Sequence, residues 1–169
     1  MGPVRVGRGR SVKLRGYIDR VDHHPGRDEW HVWDYKSGSP FKFKQPGSLA
    51  GGTMIQHAIY ARAVNEMLDR RGEKGRVAES GYYFPTVKGR GERIAKVSDP
   101  ASLETTLNHL FDVVGSGWFP QGDLERCKFC DFPSICQKTK ESVEEQKAQC
   151  AANADDPAVD AWIRLQGVK

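Results

Sequence analysis

Strand, strand, helix, strand, strand, helix: this order of segments predicts a mixed α/β (α+β) domain, a short mixed sheet flanked by helices. Two further observations bound that reading. The 169 residues suffice for one ordinary domain with a real core. No apolar run approaches the ~18 residues that would cross a bilayer. The N-terminus carries no charged-then-apolar leader pattern. A soluble, cytoplasmic protein with no membrane partner is the expectation.

The first two strands come from SVKLRGYIDRVDHHPGRDEWHVWDYKSG, residues 11–38. Two runs rich in Val, Ile, Tyr and Trp flank the turn formers of HHPGRDE, the pattern of a β-hairpin. Alternation within the runs is not clean, which predicts that at least one strand is covered on both faces. Ahead of the hairpin, Arg5 to Arg10 is Gly- and Arg-rich and fits an edge strand or a loose arm. Residues 53–71 are the clearest helix, with Ile55, Ile59, Tyr60, Val64, Met67 and Leu68 at helical spacing and Gly72 as the stop. RVAESGYYFPTVKGRGERIAKV then supplies two strands joined at KGRGE. Asp99-Pro100 is an N-cap followed by proline at the first helical position. The helix it opens turns Leu103, Leu107, Leu110, Phe111 and Val114 inward. Beyond Lys138 the sequence is polar, AANADDP breaks it, and VDAWIRLQGVK suggests a last short helix.

Charge is unevenly spread. Residues 1–96 carry 19 Lys/Arg against 10 Asp/Glu, whereas residues 97–169 carry 7 against 12, which gives the net +4. A basic N-terminal part suits a polyanionic partner, nucleic acid first, although such a skew also serves solubility alone. Three of four cysteines, Cys127, Cys130 and Cys136, fall within CKFCDFPSIC, and Cys150 stands apart. C-x2-C spacing reads as metal ligation in a reducing compartment rather than as a disulfide framework.

HVWDYKSGSP, residues 31–40, places Asp34 and Lys36 on one face of a strand. With the hairpin turn centred between Gly26 and Arg27, Asp19 lies opposite Asp34, and opposed side chains sit ~4.5–5.5 Å apart at Cβ. Two carboxylates so close repel unless a cation lies between them. Asp19 and Asp34 thereby form a candidate site for Mg²⁺ or Mn²⁺, with Lys36 placed to orient water or offset charge in a transition state. A one-residue slip in register would separate the acids. Asp22 falls on the opposite face from Asp19 and fits a strand end or a pairing with a nearby base.

LRGYIDRVD (14–22), VWDYKSG (32–38) and QHAIY (56–60) together resemble the nuclease domain of the RecB/AddB-like branch of the PD-(D/E)XK superfamily, with its G-x-I-D, D-Y-K-[ST]-G and Q-x3-Y blocks. The resemblance implies a restriction-endonuclease-like core and Mg²⁺-dependent hydrolysis of DNA phosphodiesters. It implies Asp19 and Asp34 as metal-binding acids, the peptide carbonyl of Tyr35 as a further metal ligand and Lys36 as the catalytic lysine. Gln56 and Tyr60 match the helix positions that support the site and contact substrate. Read bare, Thr53-x-x-Gln56 is also a capping box, and Tyr60 also fits a core aromatic. C-x2-C-x5-C after the core is similar to the [4Fe–4S] staple of AddB-type nucleases. By ligand chemistry Cys127, Cys130 and Cys136 suit iron–sulfur or zinc equally, with Cys150 a candidate fourth ligand.

The expected organisation is a nuclease core over residues 1–126, a cysteine staple over 127–138 and a polar tail over 139–169. The family's first cluster cysteine and a metal-binding histidine precede its nuclease motifs, whereas here no cysteine precedes Cys127 and no histidine precedes His23. The chain is therefore expected to be the C-terminal piece of a longer protein or a variant lacking that helix. Lys42, Lys44, Lys88 and Arg90, with Arg15, Arg20 and Arg93, are candidate DNA contacts. FKFK (41–44) interleaves aromatics and lysines as a strand-binding surface would, and ordinary solvated loops fit these residues as well. The function expected is metal-dependent exonuclease action on DNA, in a repair helicase–nuclease with a helicase domain or subunit as partner, or as a stand-alone exonuclease. A non-catalytic DNA-docking module and a zinc-stapled structural domain are the alternatives.

Overall fold

A computed structural model describes residues 4–44, 49–96, 99–117, 130–136 and 138–168. Within it the chain forms two compact units, residues 1–108 with 166–169, and residues 109–165. The expected boundary at residue 126 lies outside the described residues.

The first unit is built on a four-stranded sheet of β3 (Arg20–His24), β4 (Glu29–Tyr35), β5 (Arg76–Phe84) and β6 (Glu92–Lys96), paired in that order. A separate two-stranded hairpin, β1 (Val4–Gly7) with β2 (Arg10–Val12), precedes it, so the Gly/Arg-rich segment is neither an arm nor an edge of the main sheet. β3 and β4 pair antiparallel with Arg20 opposite Trp33 and Val21 opposite Val32, the register expected from the turn. That turn closes with Arg27 N–H donating to the His24 carbonyl at 3.0 Å. The run before it is shorter than its composition suggests, because residues 13–18 form no strand.

β4 and β5 run parallel, which requires a crossover, and α1 (Gln56–Arg71) provides it. Gly72 ends α1 in the left-handed region at φ 65°, its N–H donating to the carbonyls of Leu68 and Asp69, a conformation open to glycine at little cost. β5 returns antiparallel to β6 through a turn in which Gly91 N–H donates to the Phe84 carbonyl at 3.0 Å. Val32, Trp33 and Asp34 are buried at three successive positions of β4, so this strand is covered on both faces, as the broken alternation predicted.

Among the described residues, two clusters pack in the core of this unit. Val32, Val64 and Leu68 pack with Ile18, Trp30, Tyr60 and Val77, joining α1 to the sheet. Phe43, Tyr82 and Phe84 pack with Met54 and Ile94. His57 on α1 is also buried and bonds Ser80 Oγ through Nδ1 at 3.2 Å.

α2 (Pro100–Gly115) opens as expected, with Asp99 Oδ1 accepting from the amides of Ala101 and Ser102. Leu103 and Leu107 are buried, but the last turn buries Val113 and leaves Val114 exposed, one residue round from the expected face. After a short α3 (Pro133–Cys136), the polar stretch beyond Lys138 forms α4 (Lys140–Ala152). A reciprocal capping box between Thr139 and Ser142 starts that helix. α5 (Pro157–Gln166) is the anticipated last helix. Among the described residues no helix is long and apolar enough to cross a membrane.

Leu68 is 1% exposed at the contact of α1 with the sheet. Truncation there removes buried methyl groups and leaves a cavity. Leu68→Ala is expected to destabilise the protein by about 2–5 kcal/mol, read as a lowered urea midpoint with an unchanged slope.

Candidate active site

The hairpin register sets the two acids. Asp19 lies one step beyond the Arg20–Trp33 pair, where the paired register ends. Its Oδ2 accepts the backbone N–H of Tyr35 at 2.8 Å, which ties the carboxylate to the peptide following Asp34. Asp34 is 5% exposed. It occupies the middle of the sheet, with β3 on one side and Tyr82 of β5 beside it on the other.

Lys36 leaves the end of β4 with its backbone fixed, its N–H donating to the Tyr83 carbonyl at 2.9 Å. Its side chain returns to the acid, with Nζ 2.5 Å from Asp34 Oδ2. That contact is a close ion pair to an oxygen of a buried side chain. Lys36 Nζ also donates to Gln56 Oε1 at 3.2 Å, and Gln56 Nε2 donates to Tyr60 Oη at 2.9 Å. Asp34, Lys36, Gln56 and Tyr60 thus form one polar chain from the sheet to α1.

The capping-box alternative for Gln56 fails. α1 starts at Gln56 with Ile55 as its uncapped N-cap, and Thr53 Oγ1 donates to the Ala50 carbonyl instead. Tyr60 packs its ring against the Val32 cluster, as a core aromatic does, and its hydroxyl accepts from Gln56. Asp22 pairs with Arg20 at 2.8 Å, away from the acids.

The basic candidates separate. Lys44 is paired with Glu92 at 2.7 Å. Lys42 lies with Nζ 5.0 Å from the Phe43 ring centroid. FKFK does not present two stacking rings, because Phe43 is 7% exposed in the core and Phe41 alone of the two is exposed. Alternate residues of so short a 3-10 turn (Phe41–Lys44) need not share an environment. Lys88 and Arg90 are exposed in the β5–β6 turn.

Cys127 lies outside the described residues. Cys130 and Cys136 are exposed free thiols and Cys150 is half-buried. The Phe132 amide donates to Cys130 Sγ at 3.4 Å. No group of three or more His, Cys, Asp and Glu suited to a metal occurs among the described residues. The oxygen donors that fit a hard cation are fewer: the carboxylates of Asp19 and Asp34 with the carbonyl of Tyr35. Two carboxylates with water are an ordinary Mg²⁺ environment, and the buried Asp34 carboxylate already draws the Lys36 ammonium to 2.5 Å.

Tyr82 was not signalled by any motif. It lies beside Asp34 in the parallel register, its ring 5.6 Å from Lys36 Nζ and 4.4 Å from the Phe43 centroid. Burial, and secondarily the Asp34 charge, push its phenol from 10.0 up to about 12. The pairing of β4 with β5 is non-local, so only the alternation in GYYF hinted at which tyrosine turns toward the acids.

The sequence model of the PD-(D/E)XK nuclease superfamily matches residues 1–137, and the chain belongs to that superfamily. No curated protein and no solved structure matches the chain.

A phenol whose folded value is raised binds its proton more tightly folded than unfolded. Its contribution to stability is complete below pH 10 and is lost as pH climbs toward about 12. In an absorbance titration one tyrosine is therefore expected to ionise near pH 12, and Asp34→Asn should bring that midpoint down. An unmoved midpoint would mean that burial alone sets it.

Proposed function

We propose that this protein is a Mg²⁺- or Mn²⁺-dependent DNA exonuclease, acting as the nuclease module of a recombination-repair helicase–nuclease. The observation that carries the reading is the continuous chain from Asp19 through the Tyr35 amide, and from Asp34 through Lys36 and Gln56 to Tyr60. Membership of a nuclease superfamily supports phosphodiester hydrolysis as the reaction class.

Asp19, Asp34 and the Tyr35 carbonyl are the groups that would hold the cation. When bound, it would lower the pKa of a water and stabilise charge on a phosphoryl oxygen. Asp19 is held in place by the Tyr35 amide, so its free oxygen presents a fixed direction. Lys36 is suspended between Asp34 and Gln56. From there its ammonium can follow charge as it develops on the phosphate or orient the attacking water. Gln56 limits where Lys36 can go, and Tyr60 orients the Gln56 amide. Water adds to phosphorus, the P–O ester bond breaks, and the departing nucleoside oxygen takes up a proton. A basic N-terminal part supports a polyanionic substrate.

Asp34→Ala and Lys36→Ala are each expected to lower Mg²⁺-dependent degradation of linear DNA by at least about a hundredfold, with undiminished cleavage by either purified variant rejecting the reading. Gln56→Leu is expected to lose about tenfold or more, the scale of one hydrogen bond to a charged group. DNA binding with a steep salt dependence, but no cleavage in Mg²⁺ or Mn²⁺, would identify a docking module instead.

We infer in addition that Cys127, Cys130 and Cys136, with Cys150 as candidate fourth ligand, hold an iron–sulfur cluster or zinc that staples the fold. The Phe132 amide on Cys130 Sγ supports this, since such bonds stabilise thiolate ligands. Anaerobic purification followed by metal analysis and a visible spectrum is expected to find iron with charge-transfer absorption, or zinc without it. Protein free of both metals overturns the inference.

A further inference from the structure

The end of β4 has a second face. Alternation puts Asp34 and Lys36 on one side of the strand and Trp33 and Tyr35 on the other. On that other side lie Arg20 of β3, Tyr83 of β5 and Arg93 of β6, brought level by the pairings of Arg20 with Trp33, Tyr35 with Tyr83 and Tyr83 with Arg93. The rings and guanidinium groups interleave. Tyr35 meets Tyr83 edge-on at 5.4 Å. Arg93 lies 4.9 Å from the Tyr83 centroid and 5.7 Å from that of Trp33, and Arg20 lies 6.0 Å from Tyr83.

This surface is open where it is aromatic and cationic. Tyr35 is 43% exposed, Tyr83 is half-buried and Arg93 is exposed. The Arg20 charge is shared with Asp22. Arg93 touches two aromatic rings and pairs with no carboxylate among the described residues. Beside it the Trp33 indole N–H is buried without an acceptor, a donor that the protein leaves unused.

We propose that Tyr35, Tyr83, Arg93 and Arg20 form a stacking platform for unpaired nucleotides, a binding surface separate from the acids on the other face of the sheet. Charge complementarity selects the occupant. Flat π surfaces take bases of any sequence, and guanidinium groups beside them take phosphates and also stack. A base must leave its partner to lie on a ring, so the platform selects single strands over blunt duplex. Tyr35 connects the two faces, because its ring belongs to the platform while its amide holds Asp19. A strand resting on the rings therefore leads around the end of β4 toward the acids. The role of the platform in feeding that site rests on the nuclease reading, whereas strand binding itself does not.

The test measures binding without cleavage. Anisotropy of a labelled oligothymidine about 20 nucleotides long, without added divalent cation, is compared among the wild type, Tyr83→Leu and Arg93→Gln. Each substitution is expected to weaken binding about tenfold, the scale of one lost stacking contact. Arg93→Gln alters an exposed side chain, so it remains decisive if Tyr83→Leu folds poorly by thermal unfolding. A strand bearing 5-iodouracil is expected to photocross-link to Tyr35 or Tyr83. Equal affinity of Arg93→Gln and wild type overturns the platform, as does equal competition by blunt duplex or by polyglutamate. Weakened strand binding in the variants, from a wild type that hydrolyses nothing, sustains the platform and rejects the nuclease reading alone.

Discussion

The backbone amide of Tyr35 donates to the Asp19 carboxylate, and this 2.8 Å bond fixes more of the molecule than its strength suggests. It extends the β3–β4 ladder by a side chain where the backbone pairing stops at Arg20 and Trp33. The next amide along, that of Lys36, is claimed by the Tyr83 carbonyl on the parallel neighbour. Successive peptides at the end of β4 are thus pinned in opposite directions, one to β3 and one to β5. The carboxylate of Asp34, the carbonyl of Tyr35 and the stem of Lys36 inherit positions from a backbone with little freedom. Such preorganisation is what electrostatic catalysis requires, since a site that reorganises during reaction loses much of its benefit.

Burying Asp34 is a poor way to stabilise a protein. A desolvated carboxylate is offset only by well-aligned partners, and apolar residues of similar size often serve stability better. Here the nearest cation is Lys36, whose side chain is 31% exposed. Partly solvated, the ammonium supplies less than a fully buried partner would. The remaining electrostatic deficit is what a divalent ion between Asp19 and Asp34 would remove. Tyr82 bears the same field from the other side, its phenol held neutral by burial and by the Asp34 charge.

What the sequence made legible was local. The hairpin register followed from turn residues eight positions or fewer from each pair. Gly72 and Asp99 marked helix ends through their own backbone chemistry. Local signals misled or fell silent where tertiary packing decided the outcome. Thr53-x-x-Gln56 has the letters of a capping box, yet Gln56 is drawn to Lys36, twenty residues away in sequence. Phe43 in FKFK is taken into the core by Tyr82 and Phe84. His57 is buried against Ser80, across the crossover that no periodicity reveals. In the tail, charge concealed α4, although Thr139 and Ser142 are the kind of residues that start a helix.

β4 is unusual in that both of its faces carry polar chemistry at one end. A strand covered on two sides ordinarily reads as continuous apolar residues, and Val32 and Trp33 begin that way. Asp34, Tyr35 and Lys36 then break the run where the parallel pair ends, the position at which open α/β sheets offer a crevice for ligands. Period-2 alternation divides the three residues, acid and ammonium to one side and phenol to the other. Because Tyr35 contributes its amide to Asp19 and its ring to the Tyr83 contact, neither face can shift along β4 without moving the other. A nucleic-acid strand held on the aromatic side would therefore be registered against the acids by the strand itself, with no flexible loop intervening.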